Sequence, residues 1–235
     1  MLRRVEMIAQ GRDAKIYAVE DGKVLRRYGE PRRTSREAQI MAHVAAHGYP
    51  VPTVYGTTDT DMIMDRVSGP TMLEALSRRP WKAGSFGRQL GELHDRLHAI
   101  PAPTWLPVWS AASVLPGDAR GTDDGAGTTR RVLHLDLHPG NVILSPTGPV
   151  VIDWSNASAG DPAIDLAMTM VVIGTADAPS RALKLGRGWF LRGVRKGSET
   201  SYRERVADVA AARLSDPNMN ERELARLRKV IATAG

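Results

Sequence analysis

The hydrophobic periodicity of this chain changes at Gly69 and Pro70, and this change constrains the fold more than any other feature. Before the break, short apolar runs alternate with polar residues, which is typical of half-buried β-strands. After the break, apolar residues recur at helical spacing, as in the stripe between residues 86 and 97. Strands followed by helices favour an α+β protein over a parallel α/β sheet. We therefore expect a small β-rich N-terminal lobe over residues 1–67 and a larger, mainly helical lobe over residues 68–235.

The N-terminal lobe should contain several strands and one helix. Asp21 and Gly22 lie between two apolar runs, and this pair is typical of a type I′ hairpin turn. Helical spacing predicts a helix over residues 34–47, followed by Gly48 at the position of a left-handed C-cap. Two further strands are expected on either side of residues 59–61.

The second lobe should consist mainly of helices and one small hairpin. Two short apolar runs at residues 142–144 and 150–152 are predicted to pair around a turn that contains Pro146 and Gly148. The residues between 101 and 129 are rich in Pro, Gly, Thr and Asp and are predicted to be partly an irregular loop. Helices are predicted over residues 71–76, 82–99, 162–174, 201–214 and 220–233.

Composition excludes several classes of protein. The 235 residues include no cysteine, so disulfide frameworks and thiolate metal sites are excluded. The most apolar stretch, residues 166–174, is too short for the roughly 20 residues of a membrane span, and no secretory signal is recognisable, so we expect a cytoplasmic protein without membrane contacts. The net charge of +6 favours anionic partners, but there is no aromatic-interleaved basic stripe, so we expect no nucleic-acid partner.

The segment His-Leu-Asp-Leu-His-Pro-Gly-Asn at residues 134–141 is the richest in groups that can support chemistry. Asp153 follows it, at the end of the predicted hairpin. Phosphoryl transfer requires a carboxylate near the attacking hydroxyl and oxygen ligands that hold Mg²⁺ on the phosphates. Mg²⁺ prefers carboxylate and amide oxygens, so Asp136, Asn141 and Asp153 form a suitable set if the fold brings them together.

The pattern H-x-D-x-x-x-x-N, a short hairpin and then I-D-W resembles the catalytic and metal-binding segments of the aminoglycoside phosphotransferase and choline kinase-like family. That family is similar to protein kinases, in which these segments read H-R-D-x-x-x-x-N and D-F-G. The resemblance covers roughly residues 5–175 and includes G-D-P-A-I-D-L-A at residues 160–167. It implies a protein kinase-like two-lobed fold, ATP or GTP as phosphoryl donor, Mg²⁺ as cofactor and a hydroxyl group of a small molecule as acceptor.

The resemblance also implies roles for individual residues of the second lobe and the hairpin. It implies Asp136 as the catalytic base and Asn141 and Asp153 as ligands of Mg²⁺. His134 and Asp165 would brace the catalytic loop.

The resemblance is weaker in the N-terminal lobe. Gly11 is the single glycine where protein kinases have a glycine-rich loop over the phosphates, and an ordinary hairpin loop is an equal alternative. Arg26 would replace the lysine that contacts the α- and β-phosphates, with Glu37 as its ion-pair partner. Thr34 and Glu37 also match a capping box, so the role of Glu37 stays open. The expected hinge, whose backbone meets the nucleotide base, includes Met64, Asp65 and Val67, although Asp65 could equally be a solvated loop carboxylate.

Three alternatives have to be considered. His134, Asp136 and His138 would share one face of a straight strand and could hold the metal of a metallohydrolase. The single glycine and Arg26 would also suit a nucleotide-binding protein without catalytic activity. A protein acceptor is less favoured because no A-P-E element follows Asp153.

Other residues and properties of the sequence are weaker evidence of function. The histidines on predicted helices, His43, His47, His94 and His98, are interpreted as surface or packing residues. The net positive charge disfavours a polycationic acceptor such as an aminoglycoside, although local charge can oppose net charge. The oligomeric state is not readable from the sequence.

Overall fold

The computed structural model describes residues 6–11, 14–19, 22–31, 34–110, 130–178, 180–216 and 219–234. The chain divides into two compact units. The first consists of Met1–Gly69 and Ile143–Ser155, and the second of Pro70–Val142 and Asn156–Gly235. The predicted lobe boundary between residues 67 and 68 stays a prediction, and the structure adds that the segment Ile143–Ser155 belongs with the first unit.

Strands precede most of the helices along the chain, as the α+β interpretation requires. The strands are β1 (Glu6–Gln10), β2 (Ala14–Val19), β3 (Lys23–Tyr28), β4 (Val54–Thr57), β5 (Asp61–Asp65), β6 (Arg131–Leu133), β7 (Val142–Ser145), β8 (Gly148–Val151) and β9 (Ser158–Gly160). The helices are α1 (Thr34–Ala46), α2 (Met72–Arg78), α3 (Ala83–His98), α4 (Pro162–Thr175), α5 (Arg181–Gly197), α6 (Val206–Arg213) and α7 (Glu221–Ala234).

The first unit is built on a five-stranded antiparallel sheet with the strand order β1-β2-β3-β5-β4. Strands β2 and β3 pair from Ala14 opposite Tyr28 to Val19 opposite Lys23. Gly22 has a φ of 69°, the left-handed conformation that such a tight connection favours, whereas Asp21 of the predicted turn lies outside the described residues.

Helix α1 ends where its sequence predicts. The amide of Gly48 donates to Ala45, and the amide of Tyr49 donates to Val44, so the last carbonyls of the helix have partners. Gly48 has a φ of 75°, which is the left-handed C-cap conformation. Val44 is fully buried, which anchors this end of the helix in the core of the first unit.

The hairpin of β7 and β8 joins the first unit through specific contacts. The amide of Val151 donates to the carbonyl of Pro50 at 2.8 Å. The ring of Trp154 packs edge-on against Tyr49, with 5.6 Å between ring centroids, and Trp154 is buried. A side chain at Gly69 would collide with the carbonyl of Leu144, so a glycine is required at that close approach.

The second unit is organised around α4. Its N-cap is Asp161, which accepts a hydrogen bond from the amide of Ala163 at 2.9 Å. A buried apolar cluster unites α4 with β6, α6 and α7, and its members include Leu133, Ala167 and Leu227. The short strands β6 and β9 form a two-stranded antiparallel sheet beside it.

Helix α5 is absent from the sequence-based prediction. It contains Gly186, Gly188, Gly193 and Gly197, which lower helix propensity. The structure shows why two of them are there, since a side chain on Gly193 or Gly197 would collide with the backbone of α3. Close helix packing therefore stabilises a helix that its own composition disfavours.

No helix within the described ranges combines the length and the apolar character needed to cross a membrane.

Candidate active site

The loop at residues 134–141 brings Asp136 and Asn141 together. The side-chain amide of Asn141 donates to the carboxylate of Asp136 at 3.1 Å and to its backbone carbonyl at 2.9 Å. Pro139–Asn141 forms one turn of 3₁₀-helix that allows this contact, and the amide of Gly140 donates to His138 Nδ1 at 3.0 Å. The Asp136 side chain is 30% exposed, so its carboxylate is both held by the protein and open to solvent.

Backbone strain marks the same loop. Leu135 has a φ of 63°, and within the described residues the other non-glycine residue with positive φ is Asp153, at 67°. Such conformations cost on the order of 1–3 kcal/mol and persist only where surrounding contacts enforce them. Both outliers fall within or beside predicted site residues.

Asp165 supplies the contacts that enforce the loop conformation. Its carboxylate, fully buried on α4, accepts hydrogen bonds from the backbone amides of His134 at 3.1 Å and Leu135 at 2.7 Å. His98 Nε2 lies 3.0 Å from the same carboxylate, and His94 Nδ1 lies 3.5 Å from it. The structure thus places Asp165 against the backbone of the loop.

The pKa of Asp165 reflects two opposing effects. Burial acts to raise the pKa, but the hydrogen bonds and charges of His94 and His98 outweigh it and hold the pKa well below its usual range. Burial lowers the pKa of His94, although Asp165 acts in the opposite direction. The cluster therefore contains a buried carboxylate in its charged form.

His94 and His98 lie beside the site, and of the two interpretations, surface or packing, they are packing residues. Both are buried on α3, and His94 Nε2 lies 3.0 Å from the hydroxyl of Thr169, which donates to the carbonyl of Leu137. Their spacing of one helical turn was the available signal, but the sequence could not identify Asp165 as their partner. In the described part of the chain, His94, His98 and Asp165 also meet the geometric requirement for a metal site. Hydrogen bonds join His98 to Asp165 and Asp165 to the loop, so the cluster also has a structural role.

A second group of charges lies in the first unit. Arg26 donates to Glu37 Oε1 at 3.0 Å and to Asp153 Oδ1 at 2.9 Å. The other carboxylate oxygen of Glu37 accepts from the hydroxyl of Tyr28 at 2.7 Å, and Oε1 also accepts from the amide of Trp154 at 3.2 Å. Two interpretations of Glu37 were open, a capping box with Thr34 and an ion pair with Arg26. The structure shows the ion pair.

The electrostatics of this group follow from partial burial. Burial acts to lower the pKa of Arg26, but the charges of Asp153 and Glu37 outweigh it and raise the pKa. Burial and the nearby Glu37 raise the pKa of Tyr28. The Asp153 side chain is 32% exposed and that of Glu37 is 5% exposed, so Asp153 forms the open side of the group. The next residue on β3, Arg27, lies on the opposite face and pairs with Asp61.

The predicted hinge residues lie at the end of β5. The Asp65 carboxylate accepts from the amide of Thr53 at 2.9 Å and from the hydroxyl of Tyr55 at 2.8 Å, so it is not simply a solvated loop carboxylate. Burial acts to raise its pKa, but these hydrogen bonds outweigh it and lower the pKa. Met64 is buried, and Val67 follows the strand.

Gly11 closes the connection between β1 and β2. Its amide donates to the carbonyl of Ala14 at 2.9 Å, whereas residues 12 and 13 lie outside the described part of the chain.

The alternative metal site of a metallohydrolase lacks the strand on which it depended. The left-handed Leu135 interrupts any straight strand through His134, Asp136 and His138. The Nδ1 atoms of both histidines accept backbone hydrogen bonds, from Asp136 at 3.2 Å and Gly140 at 3.0 Å. Residues 134–141 therefore do not form the straight strand that this alternative required.

Comparison with known proteins provides independent findings. The family model described as "Phosphotransferase enzyme family" matches residues 4–121 and 124–205. A curated relative, EKC/KEOPS complex subunit BUD32 of Encephalitozoon cuniculi, is 32% identical over 95 residues. That match spans 40% of this chain and 45% of the relative, so the shared region is less than half of either protein.

Solved structures resemble nearly the whole chain at low identity. A choline/ethanolamine kinase family protein from Mesorhizobium loti has a TM-score of 0.63 at 17% identity, covering 99% of this chain and 87% of its own. A thermostable mutant of aminoglycoside phosphotransferase APH(4)-Ia, bound to AMP-PNP and hygromycin B, has a TM-score of 0.66 at 16% identity, covering 99% and 93%. Amicoumacin kinase hAmiN, in complex with AMP-PNP, Ca²⁺ and Ami, has a TM-score of 0.60 at 13% identity, covering 100% and 88%. The predicted kinase-like α+β fold is confirmed.

Proposed function

The chain belongs to the phosphotransferase enzyme family, and we propose that it is a small-molecule kinase that uses ATP or GTP to phosphorylate a hydroxyl group. The observation that carries this proposal is the contact between Asp136 and Asn141 on a loop whose backbone is held by the buried Asp165. A carboxylate and an amide oriented in this way are the groups that phosphoryl transfer needs from a protein.

Asp136 is proposed as the catalytic base. Its carboxylate is oriented by Asn141 and open to solvent, so an acceptor hydroxyl can reach it. In the proposed step the hydroxyl proton passes to Asp136, a bond forms between the acceptor oxygen and the γ-phosphorus, and the bond between that phosphorus and the β,γ-bridging oxygen breaks. His134 and Asp165 are proposed to position this loop and to remain outside the reaction itself.

Asn141 and Asp153 are proposed to hold Mg²⁺. Because the Asn141 amide nitrogen donates to Asp136, its amide oxygen is the atom offered to the cation. Asp153 offers a partly exposed carboxylate in the first unit. Amide and carboxylate oxygens suit this hard cation, which when bound supplies positive charge to the phosphates.

Arg26 is proposed to bind the phosphates of the nucleotide. Glu37 fixes one edge of its guanidinium, and the partly exposed Asp153 occupies another. The planar guanidinium can donate two parallel hydrogen bonds to a phosphate. The loop at Gly11 is proposed to cover the phosphates.

Met64, Asp65 and Val67 are proposed to contact the nucleotide base through their backbone. The amides of Asp65 and Arg66 already donate to the carbonyls of Thr53 and Gly22. We therefore propose that the amide of Val67 donates the hydrogen bond to the nucleotide base. A cytoplasmic location and the absence of nucleic-acid and membrane partners stay predictions from the sequence.

The proposal is tested by Asp136→Asn, which preserves the size of the side chain and removes its basicity. Because a positioned general base contributes about 10²–10⁴-fold to rate, phosphoryl transfer should fall by that factor while nucleotide affinity is retained. The measurement is nucleotide consumption with a panel of hydroxylated metabolites and antibiotics, with the phosphorylated product identified by mass spectrometry. Nucleotide binding by the unaltered protein without transfer to any compound would instead favour the non-catalytic alternative.

A further inference from the structure

The second unit contains a cavity of about 260 Å³ beside the candidate catalytic loop. Residues from α2, α4 and α5 line it, together with the loop residues His138, Pro139 and Gly140. Most of the lining side chains are aliphatic or aromatic, among them Leu73, Leu76, Val172, Ile173, Leu183 and Phe190.

The charged residues that line this cavity already have partners. The Asp177 carboxylate pairs with Arg226 at 2.8 Å and accepts from the side-chain amide of Asn220 at 3.3 Å. Arg187 donates to the carbonyls of Gly174 at 2.9 Å and Ala176 at 2.6 Å, near the end of α4. Asp177 is the only acidic residue among the described residues that line the cavity. A polycationic ligand would therefore lose its hydration without gaining a matching set of carboxylates, which is costly.

His138 connects this cavity to the proposed chemistry. It lines the cavity, and its Nε2 lies 3.6 Å from Asp136 Oδ1. A molecule that fills the apolar part of the cavity would thus reach His138, the lining residue that is next to the candidate base. Ligand sites of this kind combine an apolar lining with a few polar groups that fix orientation.

We infer that the acceptor is an uncharged, mainly apolar alcohol, whose hydrocarbon part occupies this cavity and whose hydroxyl lies at the His138 end. This inference rests on the proposed kinase function and adds the chemical class of the acceptor. The cavity volume lies just below the roughly 300–1,000 Å³ of pockets for drug-sized ligands, so a compact alcohol is expected.

The inference is tested with geraniol and 4-phenyl-1-butanol as apolar alcohols, and with kanamycin and choline as cationic ones. Binding is measured by calorimetry without nucleotide, so that it does not depend on catalysis. Leu183→Glu places a charge in the lining and should weaken the binding of the apolar alcohols at least tenfold. The matched control is Leu185→Glu on the same helix, where the side chain is 81% exposed, and binding should be unchanged.

Transfer to the same four compounds is then followed by mass spectrometry, with thermal unfolding as a check that both variants are folded. Leu183-dependent binding together with phosphorylation of an apolar alcohol supports the inference. Three results overturn the inference. They are transfer to kanamycin or choline alone, equal effects of the two substitutions on binding, and failure of both apolar alcohols to bind. Leu183-dependent binding without transfer also overturns it if Asp136 supports transfer to another compound. Absence of transfer to every hydroxylated compound would instead overturn the kinase proposal itself.

Discussion

The charged group around Arg26 and the charged group around Asp165 differ in how far they are closed to solvent. Arg26 contacts one nearly buried carboxylate, Glu37, and one partly exposed carboxylate, Asp153. Asp165 is fully buried, and backbone amides and histidines occupy its carboxylate. An open group can exchange a protein partner for a ligand, whereas a closed group can only hold the backbone in place. Similar ion pairs can therefore suit different roles, and we propose phosphate binding for Arg26 and positioning of the loop for Asp165.

The largest expected effect comes from removing the buried carboxylate of Asp165. In Asp165→Ala, the amides of His134 and Leu135 and the ring of His98 lose their buried acceptor. Breaking a buried charged pair costs about 3–5 kcal/mol, so the free energy of unfolding should fall by about that amount and transfer should be lost. Denaturant unfolding and the transfer assay measure both.

The matched control for this change is Asp208→Ala, which removes an exposed partner of Arg205. An exposed pair contributes less than about 1 kcal/mol, so stability should hardly change. A similar loss of stability in both variants would show that the buried Asp165 contributes no more to stability than an exposed carboxylate does.

A smaller effect is expected at the open group, where Arg26→Ala removes the proposed phosphate contact. A charge-assisted hydrogen bond contributes about 1.5–3 kcal/mol, which corresponds to roughly 10- to 100-fold weaker nucleotide binding. Arg27→Ala alters the neighbouring arginine on the other face of β3, where 53% of the side chain is exposed, and should leave affinity unchanged. Calorimetric titration with a non-hydrolysable nucleotide distinguishes the two, and equal losses would contradict the assigned role.

The smallest expected effect is a pH dependence of stability that originates in the closed group. Burial lowers the pKa of His94, so the folded protein binds a proton there less readily than the unfolded chain does. Below the ordinary histidine pKa of about 6.5 the unfolded state therefore takes up more protons, and stability falls as the pH drops towards the folded pKa. The contribution of Asp165, whose pKa is also lowered, is lost only below about pH 3.9.

His94→Gln should therefore flatten the dependence of the unfolding free energy on pH between 5 and 7 by at most about 1.4 kcal/mol per pH unit. His47→Gln replaces a histidine that is exposed on the surface and should retain the original slope. Urea unfolding at several pH values makes the measurement, and identical slopes for His94→Gln and the unaltered protein would show that His94 does not titrate differently on folding.

Sequence reasoning reached the parts of the site that depend on local spacing. Asp136 and Asn141 are five positions apart on one loop, and their hydrogen bond follows from the turn that Pro139 and Gly140 permit. The roles proposed for these residues, and for Asp153, stay predictions. By contrast, the contact of His94 and His98 with Asp165 joins positions more than 60 residues apart, and no local pattern indicates it.

The change from strands to helices along the chain, the end of α1 at Gly48 and the resemblance to kinases could all be read from the sequence, because each depends on local periodicity, turn chemistry or a short motif. The pairing of Glu37 with Arg26 required the tertiary structure, since a capping box with Thr34 and an ion pair with Arg26 would both use the Glu37 carboxylate. Tertiary structure also decided that α5 forms despite its glycines, because close packing on α3 outweighs intrinsic helix propensity.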